Sequence, residues 1–263
     1  MFKLFISDLD DTLLDKDKKW SPDFKQFRKI LDEKKVAFTL ATGRSAQAVQ
    51  SIVDELDLKI PYATSNGANI MLQGKVIQSF SFPVGPLRPL IEVALSMGLT
   101  VIYVIDGVEY AFSKTEFIRH EMKQNFTDQI IRPIRSEDWA NLKVDKFLIV
   151  DDHPDTGLTR LHALVNGLKP EYHYLTYSDW AMDIVAADLN KGKALHWIAD
   201  YLGVKPEEVI AAGDNHNDID LLKQAGRSIA AYNALDEVKR VSMITAKKSG
   251  GDGVIEEVLK ILE

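Results

Sequence analysis

The amino-acid sequence predicts an α/β protein: a doubly wound parallel sheet with a smaller α+β domain inserted into it. Three observations predict this. Short apolar strands alternate with amphipathic helices at both ends of the chain. In the middle that alternation gives way to strand-like runs joined by tight turn signals. The polar groups with the most chemistry to offer follow strand ends, where open parallel sheets bind their ligands.

The first strand is "KLFIS". A helix is expected to start at Ser21 as N-cap, with Pro22 at its first position. Phe24, Phe27, Ile30 and Leu31 then recur at helical spacing. "VAFTLAT" reads as a buried strand, followed by the helix "GRSAQAVQSIVDEL" and a third strand "PYATSNGANI" that runs into a glycine-containing turn. Beyond the middle the same style returns. Helix "KGKALHWIADYLG", strand "EVIAAGD", helix "NDIDLLKQAG", strand "RSIAA", helix "ALDEVKRV" and the closing "GVIEEVLKILE" follow one another.

The insert is placed at about 83–184. It opens on "FPVGPLRPL", whose prolines mark a hinge or linker. A helix is expected over residues 87–97. In "TVIYVIDGVEYAF", Asp106-Gly107 separates two strands as a hairpin turn. "VDKFLIVDD", "YHYLTYS" and "AMDIVAAD" read as further strands around a helix near 156–167. The segment 188–190 is a second hinge candidate.

Bulk properties bound the function. A chain of 263 residues, 46% hydrophobic and 27% charged, is an ordinary soluble globular protein of one large domain or two smaller ones. The formal net charge of -7 argues against a nucleic-acid surface, which needs a concentrated basic patch. There are no cysteines, so disulfides and thiolate metal ligands are excluded. No run of about 20 apolar residues predicts a membrane span, and Asp8 interrupts the first apolar run too early for a secretory signal. A cytoplasmic location is expected.

The opening "SDLDDT" poses a physical problem. Asp8 and Asp10 lie on the same side of an extended chain. Two such charges ~4 Å apart would repel by roughly 4 kcal/mol at an effective dielectric near 20. Water, a cation or a proton must offset that cost. Thr42 and Gly43 follow "VAFTLA", Asp214 follows "VIAAG", Asn217 and Asp218 open the next helix, and Lys191 opens the helix after the insert. Each alone has an ordinary reading as a solvated turn, a cap or a surface lysine. Together, each at a strand end or helix start, they would converge at one rim of the sheet.

These motifs resemble those of the haloacid dehalogenase superfamily. "DLDDT" resembles its nucleophile motif Asp-x-Asp-x-Thr, and Thr42, Lys191 and "GDNHND" resemble its second, third and fourth motifs. "SNGA", "KGKAL" and "GDGV" add features of the Cof-type phosphatases, whose insert is a type IIB cap. The resemblance covers essentially the whole chain. It implies a Rossmann-like core of residues 1–82 and 185–263 and an α+β cap of residues 83–184. Asp11 stands where many relatives have Gly, Leu221 where Met is frequent, and Ala231-Tyr232 in place of a common Met-Gly. None of these removes a catalytic group, so they bear on substrate fit and packing.

The resemblance implies a Mg²⁺-dependent phosphatase acting on small phosphorylated metabolites, sugar phosphates among them, through an aspartyl-phosphate intermediate. The Asp8 side chain, the Asp10 backbone carbonyl and Asp214 would bind Mg²⁺, with Asp218 behind them orienting a water or Lys191. Asp8 would be the nucleophile and Asp10 the general acid and base. Thr42, Gly43, Lys191 and Asn217 would hold the phosphate. The cap would close over the site and contact the rest of the substrate. The expected partner is a small-molecule phosphate ester, not nucleic acid or membrane, and the protein is expected to be a monomer or small homo-oligomer. The alternatives are a sugar phosphomutase, which shares the cap type, and a non-catalytic phosphate-ligand-binding regulatory protein. A response-regulator receiver fits less well, given the second acid and the long insert. The histidines form no metal-binding pattern. His120, His153, His162, His173 and His196 read as surface or packing residues, while His216, beside Asp214 and Asn217, is a candidate for touching substrate. "GDGV" reads as a helix start and not as a phosphate cradle, since the spacing of a P-loop is absent.

Overall fold

A computed structural model describes residues 1–125, 130–151, 158, 161, 165, 167, 172–177 and 180–263. The chain forms two compact units. One comprises Met1–Gly43, Ser51–Ile77 and Asn190–Glu263, the other Arg44–Gln50 and Gln78–Leu189.

The first unit is built on a five-stranded parallel sheet. Its order is Ile244–Thr245, Arg227–Ala230, Val209–Gly213, Leu4–Ser7, Ala37–Leu40. The chain leaves strand Leu4–Ser7 toward Ala37–Leu40 and later returns on its other side as Val209–Gly213. The order of winding therefore reverses beside Leu4–Ser7, the place where such sheets hold ligands. Both faces of the sheet are covered, so the strands read as continuous apolar runs without alternation: Leu4, Phe5, Ile6, Val209, Ile210 and Ala211 are all fully buried. Phe5 meets Phe27 edge-on at 5.7 Å and Phe38 at 5.6 Å.

Three local readings of the sequence are refined. The first regular helix is Phe24–Glu33, three residues later than its sequence start. Ser21 still organises the turn, because its Oγ accepts from the Asp23 N–H at 3.2 Å. The third strand stops at Thr64. Ser65, Asn66 and Gly67 all take positive φ, and Asn69–Leu72 returns antiparallel, so "ANI" belongs to the next strand. The two-residue edge strand Ile244–Thr245 is too short to leave an apolar pattern. Helix Lys191–Leu202 matches its expected span, with the Asn190 side chain accepting from the Lys193 N–H at 2.9 Å and Gly203 closing it at φ 66.

The second unit carries a six-stranded sheet. Its order is Tyr172–Tyr177, Ala181–Ala186, Lys146–Val150, Thr100–Ile105, Val108–Ala111, Ile130–Ile131. All pairs are antiparallel except the last. Asp106 and Gly107 turn the hairpin at φ 50 and 77, the geometry a two-residue loop needs. One sheet face, with Val101, Tyr103, Phe147, Ile149, Met182 and Ile184, packs in one apolar cluster with Leu90, Ile91 and Ala94 of helix Arg88–Ser96. The opposite face packs Ile102 and Ala111 against Ile118. The expected helix near 156–167 and residues His153 and His162 lie outside the described residues, apart from the buried Leu158, Leu161 and Val165. Among the described residues no helix is long and apolar enough to cross a membrane.

Candidate active site

The strands of the first unit deliver polar groups to one rim. The Asp8 N–H donates to the Ala212 carbonyl at 2.9 Å, which extends the ladder one residue past Ser7. Asp8 is thereby fixed against the strand that leads into Asp214. Lys191 is wholly buried at the first position of its helix. Its Nζ donates to Asp8 Oδ1 at 2.5 Å and to Asp218 Oδ1 at 2.6 Å. Asp218 is also wholly buried, and its Oδ2 accepts from the backbone N–H groups of Asp214 and Asn215 at 2.9 and 3.1 Å. Residue 213 must be glycine for this to happen, because a β-carbon there would overlap the Asp218 side chain. Thr12 Oγ1 donates to Asp214 Oδ1 at 2.7 Å.

Three carboxylates thus face one ammonium. Carboxylate oxygens of Asp8, Asp214 and Asp218 lie within 4.8 Å of one another. Burial raises the Asp8 carboxyl well above its ordinary range; Lys191 pulls it down, while Asp218, Asp214 and Asp10 push it further up. Burial followed by Asp218 raises Asp214 to about 7, against the Thr12 hydrogen bond and Lys191. Burial alone would lower the Lys191 ammonium, but Asp218 and Asp8 together lift it above the ordinary lysine range. With all three carboxylates ionised the cluster carries two negative charges in excess, and hard oxygen donors in that arrangement suit a divalent cation. Asp218 spends both oxygens on Lys191 and the backbone, so Asp8 and Asp214 are the side chains placed to hold one.

The other sequence-predicted residues make contacts of their own. Thr42 is buried beyond strand Ala37–Leu40; its N–H donates to the Ala63 carbonyl and its own carbonyl accepts from the Asn66 N–H, both at 3.0 Å. Gly43 follows it. Asn217 donates through Nδ2 to Asn66 Oδ1 at 2.8 Å, while its Oδ1 is buried without a hydrogen-bond partner. The Asp10 carboxylate is partly exposed and lies 2.9 Å from Lys18 Nζ. Asp11 takes φ 58, and its carbonyl accepts from Asn233 Nδ2 at 2.8 Å. That positive φ accounts for the glycine common at this point of the motif. His216 is exposed and donates its backbone N–H to Asn215 Oδ1, and His120, His173 and His196 are exposed as well.

Sequence reasoning assigned no role to Thr12, Lys18 or Asn66. Thr12 could have been found as the last position of the Asp-x-Asp-x-Thr motif. Asn66 sits in the noted "SNGA", but its pairing with Asn217 crosses 151 positions of chain. Lys18 lies in a charged run that reads as a solvated loop.

Residues 5–258 match the family described as haloacid dehalogenase-like hydrolase. The chain is 25% identical to the 5-amino-6-(5-phospho-D-ribitylamino)uracil phosphatase YitU of Bacillus subtilis over 95% of this chain and 94% of that protein. It is 26% identical to the HMP-PP phosphatase of Klebsiella pneumoniae over 91% and 87%. Among solved structures, the HAD subclass IIB sugar phosphatase BT4131 superposes with a TM-score of 0.82 at 19% identity, covering 98% of both chains. At that identity the likeness speaks for the fold.

Proposed function

Because the chain belongs to the haloacid dehalogenase-like hydrolases, we propose that it is a Mg²⁺-dependent phosphatase that hydrolyses small phosphorylated metabolites, sugar phosphates first among them, through an aspartyl phosphate on Asp8. The observation that carries this reading is the buried Lys191 ammonium held between Asp8 and Asp218. It keeps one Asp8 oxygen in place and sets positive charge where a phosphoryl group would arrive. Curated relatives named as phosphatases of small phosphorylated compounds support the substrate class. In this reading the core domain is residues 1–82 and 185–263, the cap domain is 83–184, and the protein works in the cytoplasm as a monomer or small homo-oligomer.

Asp8 attacks phosphorus as the bond to the leaving oxygen breaks, and Asp10 gives its proton to that oxygen. Asp10 then takes a proton from the water that attacks the aspartyl phosphate, which releases inorganic phosphate and restores Asp8. Thr42, the Gly43 amide, Asn217 and Lys191 hold the non-bridging oxygens. Phosphoryl transfer asks a protein chiefly for positioning and charge stabilisation. Asp8, the Asp10 carbonyl and Asp214 would hold Mg²⁺, with Asp218 fixing Lys191 and the loop behind them. The bound cation supplies the charge that lets an anionic nucleophile meet an anionic ester.

The test is phosphate release across a panel of phosphorylated sugars, nucleotides and cofactors, with Mg²⁺ or with EDTA. Hydrolysis with one phosphate released per ester consumed, and its loss in EDTA, is expected. Isomerisation without phosphate release would turn the reading to a phosphomutase. Silence across the panel would turn it to a binding protein.

A further inference from the structure

The loop after the first strand holds a charge that this mechanism leaves unused. Leu14 and Trp20 pair antiparallel across it. Asp15 closes it: its N–H donates to the Lys19 carbonyl at 3.0 Å, and its carbonyl accepts from the Lys18 N–H at 2.9 Å. Asp15 Oδ1 also accepts from the N–H groups of Asp17 and Lys19, both at 2.9 Å. This turn holds Lys18 at φ 60, a conformation that a β-carbon makes costly and that glycine adopts freely. A loop built only to turn would be better served by glycine or asparagine here.

The Lys18 side chain returns across the loop to the end of the first strand. Its Nζ lies 2.9 Å from Asp10 Oδ1 and 3.9 Å from Asp11 Oδ2. The Lys18 side chain is 51% exposed, so the ion pair is a weak source of stability. What the contact does is hold the Asp10 carboxylate at the end of the first strand.

We propose that Lys18 is a positioning residue for Asp10, orienting its carboxyl toward the leaving-group oxygen. The inference rests on the reading of Asp10 as general acid and base. Lys18 neither gives nor takes a proton. The charge-assisted contact to Oδ1 fixes the plane of the Asp10 carboxyl group.

The test compares kcat/KM for two esters, because kcat/KM reports only the steps up to departure of the leaving group. An alkyl ester such as a hexose 6-phosphate needs a proton on its leaving oxygen, while p-nitrophenyl phosphate leaves as a stable anion. Lys18→Gly is expected to lower kcat/KM for the alkyl ester by about ten- to a hundredfold. For the aryl ester the loss should stay under about threefold, and Lys18→Arg should restore most of the alkyl activity. Glycine relieves the φ strain, so the thermal midpoint should stay within about 3 °C of wild type. In an Asp10→Asn background, Lys18→Gly should have no further effect on the alkyl ester. Equal losses on both esters, no loss on either, or a further loss in the Asp10→Asn background would overturn the role. Silence of the wild-type protein across the whole ester panel brings down the phosphatase reading and this role together; wild-type hydrolysis of p-nitrophenyl phosphate and of an alkyl ester from that panel, matched by the Lys18 variants, brings down this role alone.

Discussion

Each unit of the molecule buries a lysine against aspartate, and the two pairs are built to different balances. In the second unit Lys146 Nζ lies 3.1 Å from Asp183 Oδ1 and 3.2 Å from Oδ2, and both side chains are buried in the middle of the six-stranded sheet. There the Asp183 carboxylate lies against the Lys146 ammonium. In the first unit one ammonium answers Asp8 and Asp218 directly and has Asp214 beside them. A buried pair of one ammonium and one carboxylate carries no net charge, although burying it still costs desolvation. In the first unit, burial first and neighbouring carboxylates second raise Asp8 and Asp214, and further positive charge would offset both effects. Residue types alone do not separate the two: what separates them is the count of carboxylates and their position at a strand end.

The largest effect that bears on this contrast is removal of the proposed nucleophile. Asp8→Asn should lower turnover by at least about a thousandfold while circular dichroism and the unfolding midpoint report an intact fold. Near-normal activity would make the rim cluster as inert as the balanced pair. Next, Lys191→Met should cost about a hundred- to a thousandfold in kcat, because it removes preorganised charge from the reacting oxygens. Lys146→Met should instead destabilise by about 3–5 kcal/mol through a stranded Asp183, measured by urea unfolding. Replacing both partners, Lys146→Met with Asp183→Leu, should recover most of that loss. If the double replacement is as damaging as the single one, the balanced reading of the second unit is wrong.

A smaller effect concerns pH. Asp214 is raised to about 7 in the folded protein and titrates near 3.8 as a free side chain. The folded state therefore binds the extra proton. That contribution to stability is complete below about pH 4 and is lost as pH rises through about 7. Metal-free protein should lose thermal stability over that window, Mg²⁺ should flatten the slope, and Asp214→Asn should abolish this part of it. The smallest expected effect is at Asn66. Asn66→Gly suits the positive φ but removes the partner of Asn217, and should raise KM for a phosphate ester about fivefold with kcat little changed.

The parts of the site legible in the sequence are those fixed by the ends of strands and the starts of helices. Asp8, Thr42, Lys191 and Asp214 each stand one or two residues from a boundary that apolar patterning reveals, and a doubly wound sheet brings such boundaries to one rim. The parallel sheet and the Asp106-Gly107 hairpin were readable for the same reason. What was not legible depends on backbone inside loops. The left-handed conformations at Ser65, Asn66 and Gly67 cut the third strand short and turn Asn66 toward Asn217. The Asp15 turn carries Lys18 back to Asp10 from a stretch of alternating charges that looks merely solvated. Gly213 gives no sign in the sequence that its missing side chain makes room for Asp218.

The most direct test of the central claim, that Asp8 carries the phosphoryl group, uses Asp10→Asn with p-nitrophenyl phosphate and Mg²⁺. The leaving group needs no acid while hydrolysis of the intermediate still needs the base, so the account predicts a burst of about one nitrophenolate per protein. Mass spectrometry of the acid-quenched sample should then find a phosphoryl adduct on the peptide containing Asp8. A burst with the adduct on another residue, or steady phosphate release with no adduct at all, would contradict it.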